Sequence, residues 1–384
     1  MVRIVLAPDS FKESLTSTEV CHALEAGVRR VWPHAVCRTL PMADGGEGSV
    51  AALVSSGRFH EVKVAAHDSL MRPREALIAW NPEERIALVE VAQACGLEWV
   101  APADRDIWTA SSFGVGECLN AAVDMGARQV ILGLGGSATG DAGCGMLSAL
   151  GVSMWSSDGR VDARCPADLR AVERIDVTGV STLWAGIDVI AATDVLNPLT
   201  GPRGATRVFG PQKGAAEEDL LVLDRLHDRF AQVCATEVGR DVREQAGAGA
   251  AGGIGFAALS VLGARVVPGV EVVAEQIGLA DALEEADVVF TGEGSVDAQT
   301  AMGKAPWGVL RAARTAGVPV VVFAGRVGRG ADELLRQGAT AVLPVVPGPV
   351  GLAEALAEAR TNLGAAAENA CRLMGAGAGI MRGS

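Results

Sequence analysis

Lysine is scarce in this chain of 384 residues, and most of it stands where chemistry could be done. Among 33 Lys and Arg residues only Lys12, Lys63, Lys213 and Lys304 are lysines. Three of them sit in strings rich in Gly, Ser or Thr: PDSFKESL, TDVLNPLTGPRGATRVFGPQKGA and TGEGSVDAQTAMGKAP. Two more strings, ADGGEGS and LGGSATGDAG, share that makeup. Backbone amides, hydroxyls and ammonium groups hold anionic oxygens, and carboxylates hold a divalent cation. The combination suits binding of phosphate with a divalent cation; were phosphoryl transfer its use, that would need in-line positioning, neutralised phosphate oxygens and a base for the attacking hydroxyl. Lys63 lies between Val62 and Val64 on an alternating segment and reads as an exposed strand face.

The candidate roles follow from position. Asp194 comes directly after the apolar run 187–193 and before the Asn197-Pro198 turn, so a strand tip would present its carboxylate as the catalytic base. Asp44 is the second carboxylate of this kind, as base or as a ligand of the acceptor's hydroxyls. Ser10, Gly45 and Gly46 are placed to touch the acceptor, and Lys12 to contact the moving phosphoryl group. Gly135, Gly136, Ser137 and Thr139 form an anion-binding nest, with Asp141 in the same loop. Lys213 and Lys304 are candidate phosphate contacts, and Glu293 and Asp297 are candidate oxygen ligands for a metal.

These strings need elements to hold them. Residues 2–7, 36–40, 129–134, 187–193, 287–291 and 318–324 read as short buried strands rich in Val and Ile. A helix is predicted from Thr16, with Glu19 completing a capping box and Val20, Leu24, Val28 and Val31 on one face. Another is predicted over 144–150. Strands alternating with helices predict an α/β protein with a largely parallel sheet, whose ligands sit at the carboxyl ends of the strands. The Gly-rich strings stand at those ends. The segment AGAGAAGGIGFAALSVLGA reads as a tightly packed helix, and the final GAGAGIMRGS as a mobile tail.

Composition narrows the function further. With 33 basic and 46 acidic residues the formal charge is −13, a poor basis for wrapping nucleic acid or docking on anionic lipid. No apolar stretch is long enough to span a membrane. The eight cysteines form no C-x-x-C pair and the five histidines no H-x-x-x-H pattern, so free thiols in a reducing cytoplasm are expected rather than disulfides or zinc. Gly303-Lys304 is followed by Ala305, so there is no phosphate-binding G-x-x-x-x-G-K-[ST] loop. The G-x-G-x-x-G at Gly247, Gly249 and Gly252 follows the polar GRDVREQA, which is no strand, so an oxidoreductase's dinucleotide context fails. Those glycines read as helix-packing positions.

Six strings in this order, APDSFKESL, LPMADGGEGS, LGLGGSATGDAG, ATDVLNPLTGPRGATRVFGPQKGA, GAGAAGGIG and FTGEGSVDAQTAMGKAPWGV, resemble the bacterial type I glycerate kinase family over nearly the whole chain. The resemblance implies phosphorylation of D-glycerate by Mg-ATP (cofactors ATP and Mg²⁺), usually to 2-phosphoglycerate. It also implies two α/β domains with the active site in the cleft between them. One would comprise residues 1–66 and 285–384 in a Rossmann-like or flavodoxin-like arrangement, and the other residues 67–284. The partners expected are these small molecules. The oligomeric state stays open, a homodimer being the assembly carried forward. Three departures stand out: Gly140 replaces a usual Asn, Ala142 a usual Gly, and Ser295-Val296 a usual Arg-Ile. The first two motivate an alternative, a nucleotide- or hydroxyacid-sensing protein without turnover.

Overall fold

A computed structural model describes residues 1–300 and 303–382, and the chain in it divides into two units. The first comprises Met1–Asp44, Ala51–Arg58 and Val270–Ser384; the second comprises Gly45–Val50 and Phe59–Gly269. Both divisions fall earlier than the expected 66/67 and 284/285. Residues His60–His67 form a strand that pairs antiparallel inside the second unit, which draws the first division back. Val270 packs in the space left by the missing side chain of Gly308, so the segment after Gly269 belongs with the first unit.

In chain order, β1 (Arg3–Leu6) and β2 (Val36–Thr39) open the first unit's sheet. The second unit's sheet then takes β3 (His60–His67), β4 (Pro73–Asn81), β5 (Ile86–Glu90) and β6 (Gln129–Gly133). A small antiparallel sheet follows, of β7 (Ser153–Ser156), β8 (Gly159–Val161) and β9 (Arg174–Asp176), before β10 (Asp188–Ala192) and β11 (Arg265–Val267) complete the larger one. The chain returns to the first sheet with β12 (Val288–Val296), β13 (Val320–Val327) and β14 (Ala341–Pro344).

The first unit's sheet has the order β14-β13-β12-β1-β2, every pair parallel. The order in which its strands are added reverses between β1 and β12, the flavodoxin-like arrangement, which opens a crevice beyond those two strand ends. The second unit's sheet has the order β11-β10-β6-β5-β4-β3 and runs in strict sequence without such a reversal. Its β3, β4 and β5 are antiparallel neighbours, a meander that the strand–helix alternation did not anticipate.

Helix Ser17–Val31 begins as the spacing predicts. Glu19 N donates to Thr16 Oγ1 at 3.3 Å, and Thr16 N donates to Glu19 Oε2 at 3.0 Å. Its buried Val20, Leu24 and Val28 pack into the first unit's core with Ile4, Leu6 and Phe290. Phe290 and Phe323 meet edge-on with centroids 5.1 Å apart. The second unit has its own core, reaching from Ile78 and Val89 to Phe230 and Phe256.

Two expectations need correction. The predicted glycine-rich helix is only Ile254–Ser260, because Ala251, Gly252 and Gly253 adopt positive φ and break the helical path. The G-x-G-x-x-G glycines therefore lie in a turn. The predicted tail continues helix Ala359–Arg382, with no proline to interrupt it; Gly383 and Ser384 lie outside the described residues.

Candidate functional site

The crevice between β1 and β12 holds a cavity of about 350 Å³, lined wholly by the first unit. Its polar end carries Asp9, Asp44, Glu293, Lys12 and Lys304, with Ser10 beside them. The PDSFK loop is anchored to β12: Asp9 N donates to the Gly292 carbonyl at 2.9 Å, and Thr291 Oγ1 donates to the Ala7 carbonyl at 2.7 Å. A side chain at Gly294 would meet Phe11 and Lys12 backbone at 3.4 Å, so glycine lets the loop lie directly on the strand.

The carboxylates here press on one another. Burial pushes Asp9 up to about 7, assisted by the negative charges of Asp44 and Glu293 and opposed by Ser10 N, at 2.6 Å from Asp9 Oδ1, and by Lys12. Burial likewise raises Glu293, although Thr300 Oγ1 donates to its Oε1 at 2.5 Å and Lys304 Nζ stands 3.2 Å from its Oε2. Lys12 and Arg326 are exposed on the lining and form no ion pair among the described residues. Arg326 is the register partner of Ser295, so the positive charge absent at 295 stands on the neighbouring strand.

In the second unit the LGGSATGDAG loop is braced from within. Lys213 is 3% exposed and donates to Ser137 Oγ and to the Thr139 carbonyl, both at 2.7 Å; burial pushes it down to about 8. The Asp141 carboxylate accepts from Ser112 N at 2.8 Å, Ser112 Oγ at 2.7 Å, Gly143 N at 3.0 Å and Gly145 N at 3.2 Å. Burial nonetheless raises its pKa. Thr139 Oγ1 donates to the Ala110 carbonyl at 2.9 Å. His227 lies 2.7 Å from the Gly140 carbonyl through Nε2 and 3.2 Å from Thr206 Oγ1 through Nδ1, which fixes the Nε2–H tautomer.

What stays available in that loop is backbone. The amides of Gly135, Gly136 and Ser137 donate to no partner among the described residues, and Gly136 is exposed with φ +64°. Successive free amides of this kind are what an anion-binding nest requires. Gly46 lies so close that a side chain at Gly135 would come within 2.6 Å of its Cα. Gly45 and Gly46 thus contribute close backbone packing against the Gly133–Gly135 turn.

The structure gathers Ser10, Lys12, Asp44, Glu293 and Lys304 at the first unit's cavity. It gathers Gly45, Gly46, Gly135, Gly136, Ser137, Thr139, Asp141 and Lys213 in the second unit. Lys213, Thr139 and Asp141 are buried beneath the loop they were expected to serve by direct contact; their hydrogen bonds shape it instead. Asp194 is exposed beyond the end of β10. Asp297 accepts from Gln299 N at 2.8 Å and does not line the cavity. Sequence reasoning passed over Asp9, read only as a turn residue, and Arg326. The position of Asp9 at a strand tip, the same argument applied to Asp194, was the signal available.

Among the described residues no three His, Cys, Asp or Glu side chains converge to hold a metal by themselves. Magnesium needs only one or two carboxylates, keeping waters and phosphate oxygens for its other positions. Asp44 and Glu293, carboxylates that both line the cavity, fit that demand.

Comparison with known proteins agrees with the site's chemistry. The model of the glycerate kinase family matches residues 4–375. A glycerate kinase of Haemophilus influenzae is 40% identical over 375 residues, covering 97% of this chain and 99% of that protein. The glycerate kinase of Halalkalibacterium halodurans is 40% identical over 96% of this chain and 97% of its own length. The glycerate 2-kinase of Escherichia coli is 36% identical over 96% and 97% respectively. A crystal structure described as glycerate kinase 2 from Salmonella typhimurium LT2 superposes with a TM-score of 0.86 at 39% identity, covering 98% of this chain and 99% of that one. The α/β chain, with its largely parallel sheets and its lysine- and carboxylate-lined crevice, belongs to the glycerate kinase family of enzymes.

Proposed function

We propose that the enzyme transfers the terminal phosphoryl group of ATP, as its magnesium complex, to the 2-hydroxyl of D-glycerate, giving 2-phosphoglycerate and ADP. The observation that carries this reading is the meeting of Asp9, Asp44, Glu293, Lys12 and Lys304 in one crevice. Lys12 and Lys304 neutralise the phosphate oxygens. Glu293 and Asp44 would hold Mg²⁺, which when bound spreads the phosphate charge. Asp9 is the base, because it stands at the tip of β1 among the groups that would grip the phosphoryl group; Asp194 is the competing candidate. Ser10 and Asp44, on the cavity lining, fit the glycerate hydroxyls. The eight unpaired cysteines accord with a reducing cytoplasm.

Purified enzyme with Mg-ATP and each glycerate enantiomer, followed by ADP release, tests the reaction. Turnover with D-glycerate is expected, and enolase added without phosphoglycerate mutase should consume the product. Absence of turnover with both enantiomers would overturn the reading. Asp9→Asn should lower kcat by about 10²–10⁴ with little change in glycerate KM, whereas Asp194→Asn should stay within about threefold. The reverse ranking would return the base to Asp194.

A further inference from the structure

The cavity's other end has a different chemistry. Helix Leu352–Ala357 places Leu352, Ala355 and Leu356 at i, i+3 and i+4, one face, and all three line the cavity. Ala359, the first residue of the next helix, continues the wall, opposite Val345 and Val346 at the end of β14. No residue of helix Leu352–Ala357 is buried, and Leu352 is 72% exposed. An apolar helix face ordinarily packs into a core; this one is turned toward an open space. Ser14 Oγ, donating to the Leu356 carbonyl at 3.2 Å, ties the helix to the PDSFKES loop and so to the polar end.

D-glycerate bears oxygen on each of its three carbons and has no apolar face to offer this wall. It is also far too small to fill about 350 Å³. A nucleotide has both required ends: a flat, largely apolar base and a polyphosphate. We infer that the first unit's cavity is the nucleotide site. The base of the phosphoryl donor rests on Leu352, Ala355 and Leu356, and its phosphates run toward Lys12, Arg326 and the carboxylates. This deepens the proposed function and rests on ATP being the donor. It moves the nucleotide away from the Gly135–Thr139 loop of the second unit.

Ala355→Trp fills the apolar end without touching the charged one, and Leu352→Ala, at an exposed position, trims it with little risk to folding. Calorimetric titration of the full-length enzyme with MgADP should give a Kd at least tenfold weaker for Ala355→Trp and about threefold weaker for Leu352→Ala. Inhibition by inorganic tripolyphosphate, which has no base, should be unchanged in both. In turnover, ATP KM should rise while glycerate KM stays within twofold. Unchanged ADP affinity in both variants, or a rise in glycerate KM alone, would overturn the inference. If the wild type binds ADP in this base-dependent way yet does not phosphorylate glycerate, the nucleotide site stands and the proposed reaction falls.

Discussion

His227 is 1% exposed and held between Thr206 and the Gly140 carbonyl, and burial pushes its pKa down to about 4. Its ordinary value is 6.5, so between those limits the unfolded chain binds a proton that the folded chain refuses. The stability this residue contributes is present above pH 6.5 and is lost as the pH falls toward 4. Against His227→Gln, which keeps a donor for Gly140, wild type should lose roughly 2 kcal/mol more stability between pH 6.5 and 5. Urea titrations at the two pH values measure it; an unchanged gap would mean that the folded enzyme protonates His227 normally. In the same loop Ala142 has φ +52°, a conformation that costs a residue with a Cβ about 1 kcal/mol relative to glycine. Ala142→Gly should therefore raise the melting temperature by about 2–4 °C. The neighbouring departure is steric: a side chain at Gly140 would meet Ile107 Cδ1 at 2.7 Å.

At the level of elements, the register of β12 and β13 sets Arg326 opposite Ser295 on the cavity lining. A charge can thus move between strands and still serve the same space. Arg326→Ser should raise ATP KM about tenfold, in line with loss of one charge-assisted phosphate contact. Adding Ser295→Arg should recover most of it, measured by initial rates at varied ATP; failure of the second change would show that Arg326 acts through geometry Ser295 cannot share. The strands that lead into Gly-rich loops were legible because both signals are local: a Val/Ile run, then residues that turn. Strand β3 was legible around Lys63 as an alternating strand, but its place was not, since its partner β4 decides which sheet receives it. Asp9 looked like a turn residue for a similar reason. Its company, Asp44 and Glu293, is supplied by distant parts of the chain. Lys213 was singled out by its rarity, but composition carries no information on whether an ammonium faces solvent or the underside of a loop.

Across the whole molecule, the total charge of −13 says little about what the enzyme binds, because Lys12, Lys304 and Arg326 are concentrated at one crevice. The reversal of strand order explains why that crevice lies in the first unit: only there do neighbouring strands send their loops apart. The same reversal has a consequence for biosynthesis. Strand β1, with Ile4, Val5 and Leu6, leaves the ribosome long before β12, yet one of its two edges pairs with Val288–Phe290. The entire second unit, ending at Gly269, is translated before that partner exists. At about 5–20 residues per second the delay is on the order of ten seconds or more, during which an apolar strand edge has no native neighbour. Assembly is therefore expected to begin with the second unit, and the unit holding the crevice closes its sheet only after β12 has been made.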